Sequence, residues 1–190
     1  MNIILASQSP RRQELLKLIG QPFSIRVADI DETLDDTSPE LAVAQLSRRK
    51  AEAVPREPED VVIAADTIVV CDGEILGKPR DAADASRMLH KLSGRDHQVM
   101  TGMTLLKGDQ CRVCTEITDI HFRDLTDREI EAYIRTGEPM DKAGSYGIQG
   151  GAALFAERLV GDYYNVMGLP VCRLGQLLRE IAPEIMEDSE

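Results

Sequence analysis

Histidine, cysteine, long apolar runs and excess basic charge are all scarce or missing in this chain of 190 residues, and each absence narrows what it can do. The three histidines, His90, His97 and His121, form no HxxxH, HExxH or Ser/His/Asp arrangement, which leaves them structural roles and argues against a histidine-based nucleophile or zinc site. Of the four cysteines, Cys71, Cys111, Cys114 and Cys172, the Cys111-x-x-Cys114 pair has no second pair at zinc spacing. Strand alternation would also point its two thiols apart, so the cysteines read as small hydrophobes in a reducing compartment. No apolar stretch is long enough for a membrane span, and the N-terminus has no basic flank leading into an apolar run. A cytoplasmic protein with no membrane association is expected. With 22 Lys and Arg against 33 Asp and Glu, a net charge of −11, a broad basic face for a nucleic-acid polymer is excluded. A small anionic substrate stays allowed, since it needs only a few local cations and a divalent metal to bridge it to carboxylates. There is also no Walker loop and no GxGxxG turn.

What is present is an alternation of strand-like and helix-like segments from end to end, with 43% hydrophobic residues. This is an α/β pattern with one core, a single domain over residues 1–182, and an acidic, solvated tail over 183–190. Helix starts are expected at Ser9-Pro10, Ser38-Pro39, Asp81, the capping box Thr126-Asp127-Arg128-Glu129, and Leu169-Pro170. Strands are expected at Val61–Val70, His97–Leu106, Arg112–Phe122, Ala153–Val160 and Tyr163–Met167. Lys107-Gly108-Asp109 and Gly161-Asp162 are their turns, and a two-residue Gly161-Asp162 hairpin makes the sheet mixed.

Several residues break local rules. Arg11 and Arg12 fall in the first turn of the helix that Ser9 caps, where the free N–H groups already carry about +0.5 charge and each exposed cation costs about 0.3–1 kcal/mol. Either they are solvated surface residues, or a phosphate reverses the sign. Asp66 sits in the middle of the apolar run Val61-Val62-Ile63-Ala64-Ala65-Asp66-Thr67-Ile68-Val69-Val70. It either escapes through a bulge or meets a cation, a metal or a site. Lys50 lies on the same helix face as Val43, Leu46, Ser47 and Val54, so its ammonium either snorkels to water or is aimed into a site. Lys78 follows in a tight segment, Gly77-Lys78-Pro79-Arg80-Asp81, that can fold back. Asp31 and Glu32 become candidates once a hard divalent ion is required. Asp141-Lys142-Ala143-Gly144-Ser145-Tyr146-Gly147-Ile148-Gln149-Gly150-Gly151 is the densest glycine segment. It is either an ordinary loop or one whose glycines admit a ligand, with Gln149 reading a base edge.

In order, Ala6-Ser7-Gln8-Ser9-Pro10-Arg11-Arg12, Ala65-Asp66-Thr67-Ile68-Val69, Leu76-Gly77-Lys78-Pro79-Arg80-Asp81, Lys91-Leu92-Ser93-Gly94 and Glu138-Pro139-Met140-Asp141-Lys142-Ala143-Gly144 form a set that closely resembles the Maf family of nucleoside triphosphate pyrophosphatases. The resemblance runs from Leu5 to about Leu178. It implies an elongated, two-lobed α/β fold around a cleft, with a mixed twisted sheet flanked by helices, related to the house-cleaning inosine triphosphatases, and frequent homodimers. It implies Asp66 as proton acceptor, and Lys50 and Lys78 are the other expected catalytic residues. Arg11, Thr67 and Gln149 match positions associated with substrate choice, and Ser7, Arg12, Glu32, Lys50 and Lys78 match positions around phosphates and metal. Asp141 and Lys142 join the expected substrate contacts, and Glu32 and Asp66 are the expected ligands of Mg²⁺ or Mn²⁺. The Tyr146-Gly147-Ile148-Gln149-Gly150 loop resembles the branch acting on dTTP and UTP rather than 7-methyl-GTP. The implied reaction is water attack on the α-phosphorus, releasing the monophosphate and pyrophosphate. The alternatives are a non-hydrolysing, nucleotide-sensing regulator of septum formation and a Maf enzyme of different base specificity, acting on 7-methyl-GTP.

Overall fold

The computed structural model describes residues 1–33 and 38–187. Strand β1 (Ile3–Leu5) is wholly buried. Ser9 then accepts a hydrogen bond from the Arg12 amide and Pro10 opens α1 (Pro10–Leu16). A 3₁₀ turn, Lys17–Ile19, closes on Gly20 at φ 76°, the left-handed end that glycine makes cheaply. Strand β2 (Phe23–Ile25) follows. Ser38 caps α2 (Pro39–Ala53), again with proline at the helix start. Strand β3 (Val61–Cys71) is buried except at Asp66 and Thr67, which are half-buried. Then come β4 (Glu74–Leu76), α3 (Ala82–Leu92) capped by Asp81, β5 (Asp96–Lys107) and β6 (Gln110–Phe122). The expected capping box opens α4 (Asp127–Arg135). After three 3₁₀ turns the chain ends in β7 (Ala156–Val160), α5 (Tyr163–Met167), α6 (Val171–Ile181) and α7 (Glu184–Glu187).

The seven strands form one mixed sheet, flanked by helices, in the order β2-β1-β3-β5-β6-β7, with β4 also paired to β3. β1 runs parallel to β2 and to β3, with Leu5 opposite Ile63, whereas β4 is antiparallel to β3, with Val69 opposite Leu76. Asp66 and Thr67 therefore lie on β3 between the residues that β1 holds and those that β4 holds.

Three expectations are corrected. Tyr163–Met167 is helix α5 and not a strand, because the Asp162 carboxylate accepts the Tyr164 amide at 2.7 Å and the Asn165 amide at 3.3 Å. Those bonds are a helix cap, so Gly161-Asp162 is no hairpin. Residues Gly151–Leu154 form a 3₁₀ turn, and β7 begins only at Ala156. The antiparallel turn that the sequence reading passed over is Asp72-Gly73, both at positive φ (52° and 77°) between β3 and β4. That is the backbone of a primed two-residue turn, and Asp-Gly is its favoured sequence. Two residues of the expected tail, Glu184 and Ile185, make contacts with the rest of the chain. Ile185 is 3% exposed, the Gln21 side-chain amide donates to its carbonyl, and Lys107 pairs with Glu184; residues 188–190 lie outside the described ones.

By contacts the chain divides into two compact units: residues 1–66, 101–116 and 168–190, and residues 67–100 and 117–167. In the first, Ile4, Ala6, Ala51, Val54, Val62, Ala64 and Leu106 make one buried cluster. Gly102 of β5 is there because α2 lies directly on it. A Cβ at Gly102 would overlap the Val43 carbonyl and come within 2.7 Å of the Ala44 nitrogen. Asp60, 2% exposed, accepts from the Asn2 amide (3.0 Å), the Asn2 side chain (2.9 Å) and the Glu57 amide (3.1 Å). Burial pushes its pKa up, but these hydrogen bonds and the Arg26 charge more than offset that and hold it below the ordinary value. A depressed carboxylate contributes stability above its unfolded pKa and loses it as pH falls through the folded value. Asp60→Asn is therefore expected to be less stable than wild type at pH 7, with the gap closing below about pH 4. Urea midpoints at the two pH values check this.

In the second unit an edge-to-face aromatic chain links His97, Phe122, Tyr146, Phe155 and Tyr133. Burial lowers the His97 pKa to about 4, so at neutral pH its Nε2 is free to accept from the Tyr146 hydroxyl at 2.8 Å. His97 is thus structural, as expected. Cys71 is buried, Cys111 and Cys114 are half-buried and Cys172 is exposed; all four are free thiols. Among the described residues no helix is long and apolar enough to cross a membrane.

Candidate active site

Six of the expected residues belong to the first unit, and the structure brings them together. Lys50, on the inward face of α2 with Val43, Leu46 and Ser47, does not snorkel to open water. Its Nζ lies 2.6 Å from Asp66 Oδ1 and 2.9 Å from a Glu32 carboxylate oxygen. Lys50 and Asp66 are 15% and 16% exposed and Glu32 is 63% exposed, so Lys50 and Asp66 form the sheltered part of the cluster and Glu32 its open rim. Asp66 thus has the cation that its place in an apolar strand demands, and it needs no bulge.

Arg12 folds inward from the first turn of α1. Its Nε donates to the Gly168 carbonyl at 2.7 Å and its guanidinium to Ser7 Oγ at 3.3 Å. Burial lowers its pKa, Asp66 and Glu32 raise it, and Arg11 lowers it. The two arginines and two carboxylates therefore share one field, and Arg12 stays charged. Ser7, 8% exposed, also accepts from the Ser9 amide at 3.2 Å. Arg11 is half-buried, so neither arginine is the fully solvated surface residue of the plainer reading.

The other five residues belong to the second unit. Thr67 is half-buried on β3, and Lys78 and Gln149 are exposed. The Gly144 amide donates to the Gly77 carbonyl at 3.1 Å, which ties the Lys78 segment to the glycine-rich loop. Asp84 secures the other end of that segment, accepting from both the Arg80 backbone and the Arg80 side chain at 3.2 Å. Those bonds, and one from Arg87, carry the Asp84 pKa down to about 2.

Asp141 and Lys142 are bonded to each other and to the turn before them. Lys142 Nζ donates to the Glu138 carbonyl at 2.6 Å and to Asp141 Oδ1 at 2.7 Å, so its charge braces the turn. The glycines, too, are packed against the protein itself. A Cβ at Gly150 would overlap the Glu138 carboxylate, one at Gly147 would lie 2.8 Å from the Lys142 side chain, and one at Gly144 2.8 Å from Val69. Glu138 and Asp84 are what the sequence reading missed. The only signal for Glu138 was its place in the Glu138-Pro139-Met140-Asp141-Lys142 run.

A divalent metal suits the donor chemistry of the first cluster. Two carboxylates, Glu32 and Asp66, already converge on one positive charge, the Lys50 ammonium. Among the described residues no three His, Cys, Asp or Glu side chains group as a metal cage. A pair of carboxylates completed by substrate phosphates is how Mg²⁺ is ordinarily held, whereas an all-protein cage is how Ca²⁺ or zinc is.

Fold and site together define a class: an α/β protein on a mixed sheet, with arginines and a lysine gathered around a strand aspartate. Over residues 2–181 it matches the family described as Maf-like protein, and the chain belongs to the Maf family. It is 53% identical over 180 residues to a protein of Symbiobacterium thermophilum named dTTP/UTP pyrophosphatase, covering 94% of this chain and 93% of that one. Similar proteins under the same name occur in Geotalea uraniireducens, at 50% identity over 95% of each chain, and in Carboxydothermus hydrogenoformans, at 51% over 95% of this chain and 98% of that one. Among solved structures, a HAM1 protein from Coxiella burnetii superposes with a TM-score of 0.50 at 14% identity, covering 95% of this chain and 99% of that one. At that identity the likeness speaks for the fold alone.

Proposed function

We propose that this protein hydrolyses dTTP and UTP to the nucleoside monophosphate and pyrophosphate. The observation that carries this reading is Asp66, a strand carboxylate held at 2.6 Å by Lys50 with Glu32 and Arg12 in the same field, in a chain about half identical to proteins of that name. In the reaction a water oxygen bonds to the α-phosphorus as the bond to the bridging β-oxygen breaks, and the water proton passes to Asp66. Lys50 fixes the Asp66 carboxylate in orientation through its hydrogen bond. Arg11, Arg12, Lys50 and Lys78 neutralise the triphosphate and the charge that builds on the departing pyrophosphate. Glu32 and Asp66 would hold Mg²⁺ or Mn²⁺, which supplies charge neutralisation at the phosphate oxygens and a more acidic water. Ser7 adds a hydroxyl beside Arg12, and Asp141 and Lys142 support the substrate contacts by bracing the loop. Thr67 and Gln149 read the base, because a fixed hydroxyl or amide distinguishes pyrimidine edges while the cations meet a triphosphate common to all nucleotides. The reading includes a cytoplasmic homodimer without nucleic-acid or membrane partners.

The test is pyrophosphate release, with Mg²⁺ present, from dTTP, UTP, purine triphosphates and 7-methyl-GTP. Higher kcat/KM for the two pyrimidines is expected. Gln149→Ala is expected to narrow the ratio of dTTP to 7-methyl-GTP by about tenfold, the scale of one base-edge hydrogen bond left unmade. Preference for 7-methyl-GTP would overturn the base assignment, and binding of dTTP without pyrophosphate release would make the protein a nucleotide sensor.

A further inference from the structure

The turn that carries Gln149 is held at both ends by one two-residue device. On the near side, the Gly147 amide donates to the Tyr133 hydroxyl at 3.0 Å, and that hydroxyl donates onward to Glu138 Oε1 at 2.9 Å. On the far side, the Gly151 amide donates to the other Glu138 oxygen, Oε2, at 3.1 Å. Gln149, exposed, sits midway between the two anchored amides, in a turn closed by the Gly150 amide donating to the Gly147 carbonyl at 3.0 Å. Tyr133 is a firm post for this. It is 5% exposed, its ring stands edge-on to Phe155, and burial carries its pKa well above the ordinary phenol range, so it stays a donor.

Geometry and chemistry agree on why the post is a carboxylate. Glu138 faces two donors and needs two acceptor oxygens, which an ionised carboxylate has and an amide does not. The glycines at 147 and 150 leave the room it fills, since a Cβ at Gly147 would lie 3.0 Å from Oε1, and one at Gly150 would lie 2.5 Å from Oε2 and overlap the rest of the group.

We infer that Glu138, through Tyr133 and the Gly147 and Gly151 amides, is a positioning residue for base selection: it fixes the turn from which Gln149 reads the nucleobase. This rests on the base-reading role of Gln149 given above. Glu138→Gln keeps the volume but turns an N–H₂ toward one of the two donors, and Tyr133→Phe keeps the ring while freeing the Gly147 amide.

The experiment combines kinetics with amide exchange. kcat/KM for dTTP and for ATP is measured in wild type, Glu138→Gln, Tyr133→Phe, Gln149→Ala and the Glu138→Gln/Gln149→Ala double variant. Hydrogen exchange at Gly147 and Gly151 is followed by NMR. Expected are a loss of about tenfold for dTTP, mostly in KM, with ATP changed less than about twofold, and little further loss from Glu138→Gln once Gln149 is alanine. Faster exchange is expected at Gly151 in Glu138→Gln and at Gly147 in Tyr133→Phe. Equal losses on dTTP and ATP, or the same loss in the Gln149→Ala background, would overturn the inference; so would unchanged exchange at both amides. A wild-type protein that fails to release pyrophosphate from dTTP would instead overturn the functional reading, and the exchange rates would still decide whether Glu138 holds the turn.

Discussion

Asp66→Asn is expected to fold as the wild type does and to release pyrophosphate from dTTP about 10²–10⁴-fold more slowly. The substitution keeps the side chain's volume and one acceptor oxygen for Lys50 Nζ, now 2.6 Å from Asp66 Oδ1, so packing around β3 has little reason to change. What it removes is the negative charge and the basic oxygen, on which both proton transfer and any metal ligation depend. Loss confined to kcat, with an unaltered urea midpoint, is the expected pattern. A folded Asp66→Asn protein with near-wild-type turnover would remove Asp66 from the chemistry and leave it a partner for buried cations only.

The second large effect is on stability, far from any reacting atom. Gly102→Ala adds one methyl group where β5 meets the backbone of α2 at Val43 and Ala44. A side chain in that position could rotate away, but a helix backbone cannot, so the helix must lift. A cost of about 2–3 kcal/mol is expected, the upper part of the range for overpacking a core. Lifting α2 also moves Lys50, which stands seven residues or about 10 Å further along the same helix and must reach Asp66 and Glu32. Turnover should therefore fall in the fraction that remains folded. A wild-type urea midpoint would show that the helix has slack there.

How much of this could be read from the residues depends on how local the deciding force is. Ser9-Pro10, Ser38-Pro39, Asp81 and the Thr126 capping box act within one helical turn, and all four open helices where expected. The pairing of Lys50 with Asp66 was half legible: each was visibly misplaced on an apolar face, but nothing along the chain said that they meet. Tyr163–Met167 was misread because β-forming residues followed a glycine, while the Asp162 carboxylate that caps α5 outweighs that preference. The glycine loop was legible only as a place of close approach, with an ordinary loop and a ligand-admitting one both left open. Small residues advertise close approach without saying of what, and here the approaching group is Glu138 of the same chain.

For anyone varying this loop to obtain a new nucleotide preference, that occupancy sets the size of the usable library. Position 150 is closed to anything larger than glycine while Glu138 keeps its place, a Cβ at 147 meets the Lys142 side chain at 2.8 Å, one at 151 crowds the Tyr133 ring at 3.1 Å, and Ile148 is 9% exposed. Single substitutions therefore meet least resistance at Gln149, and a side chain at position 150 requires a change at 138 in the same clone.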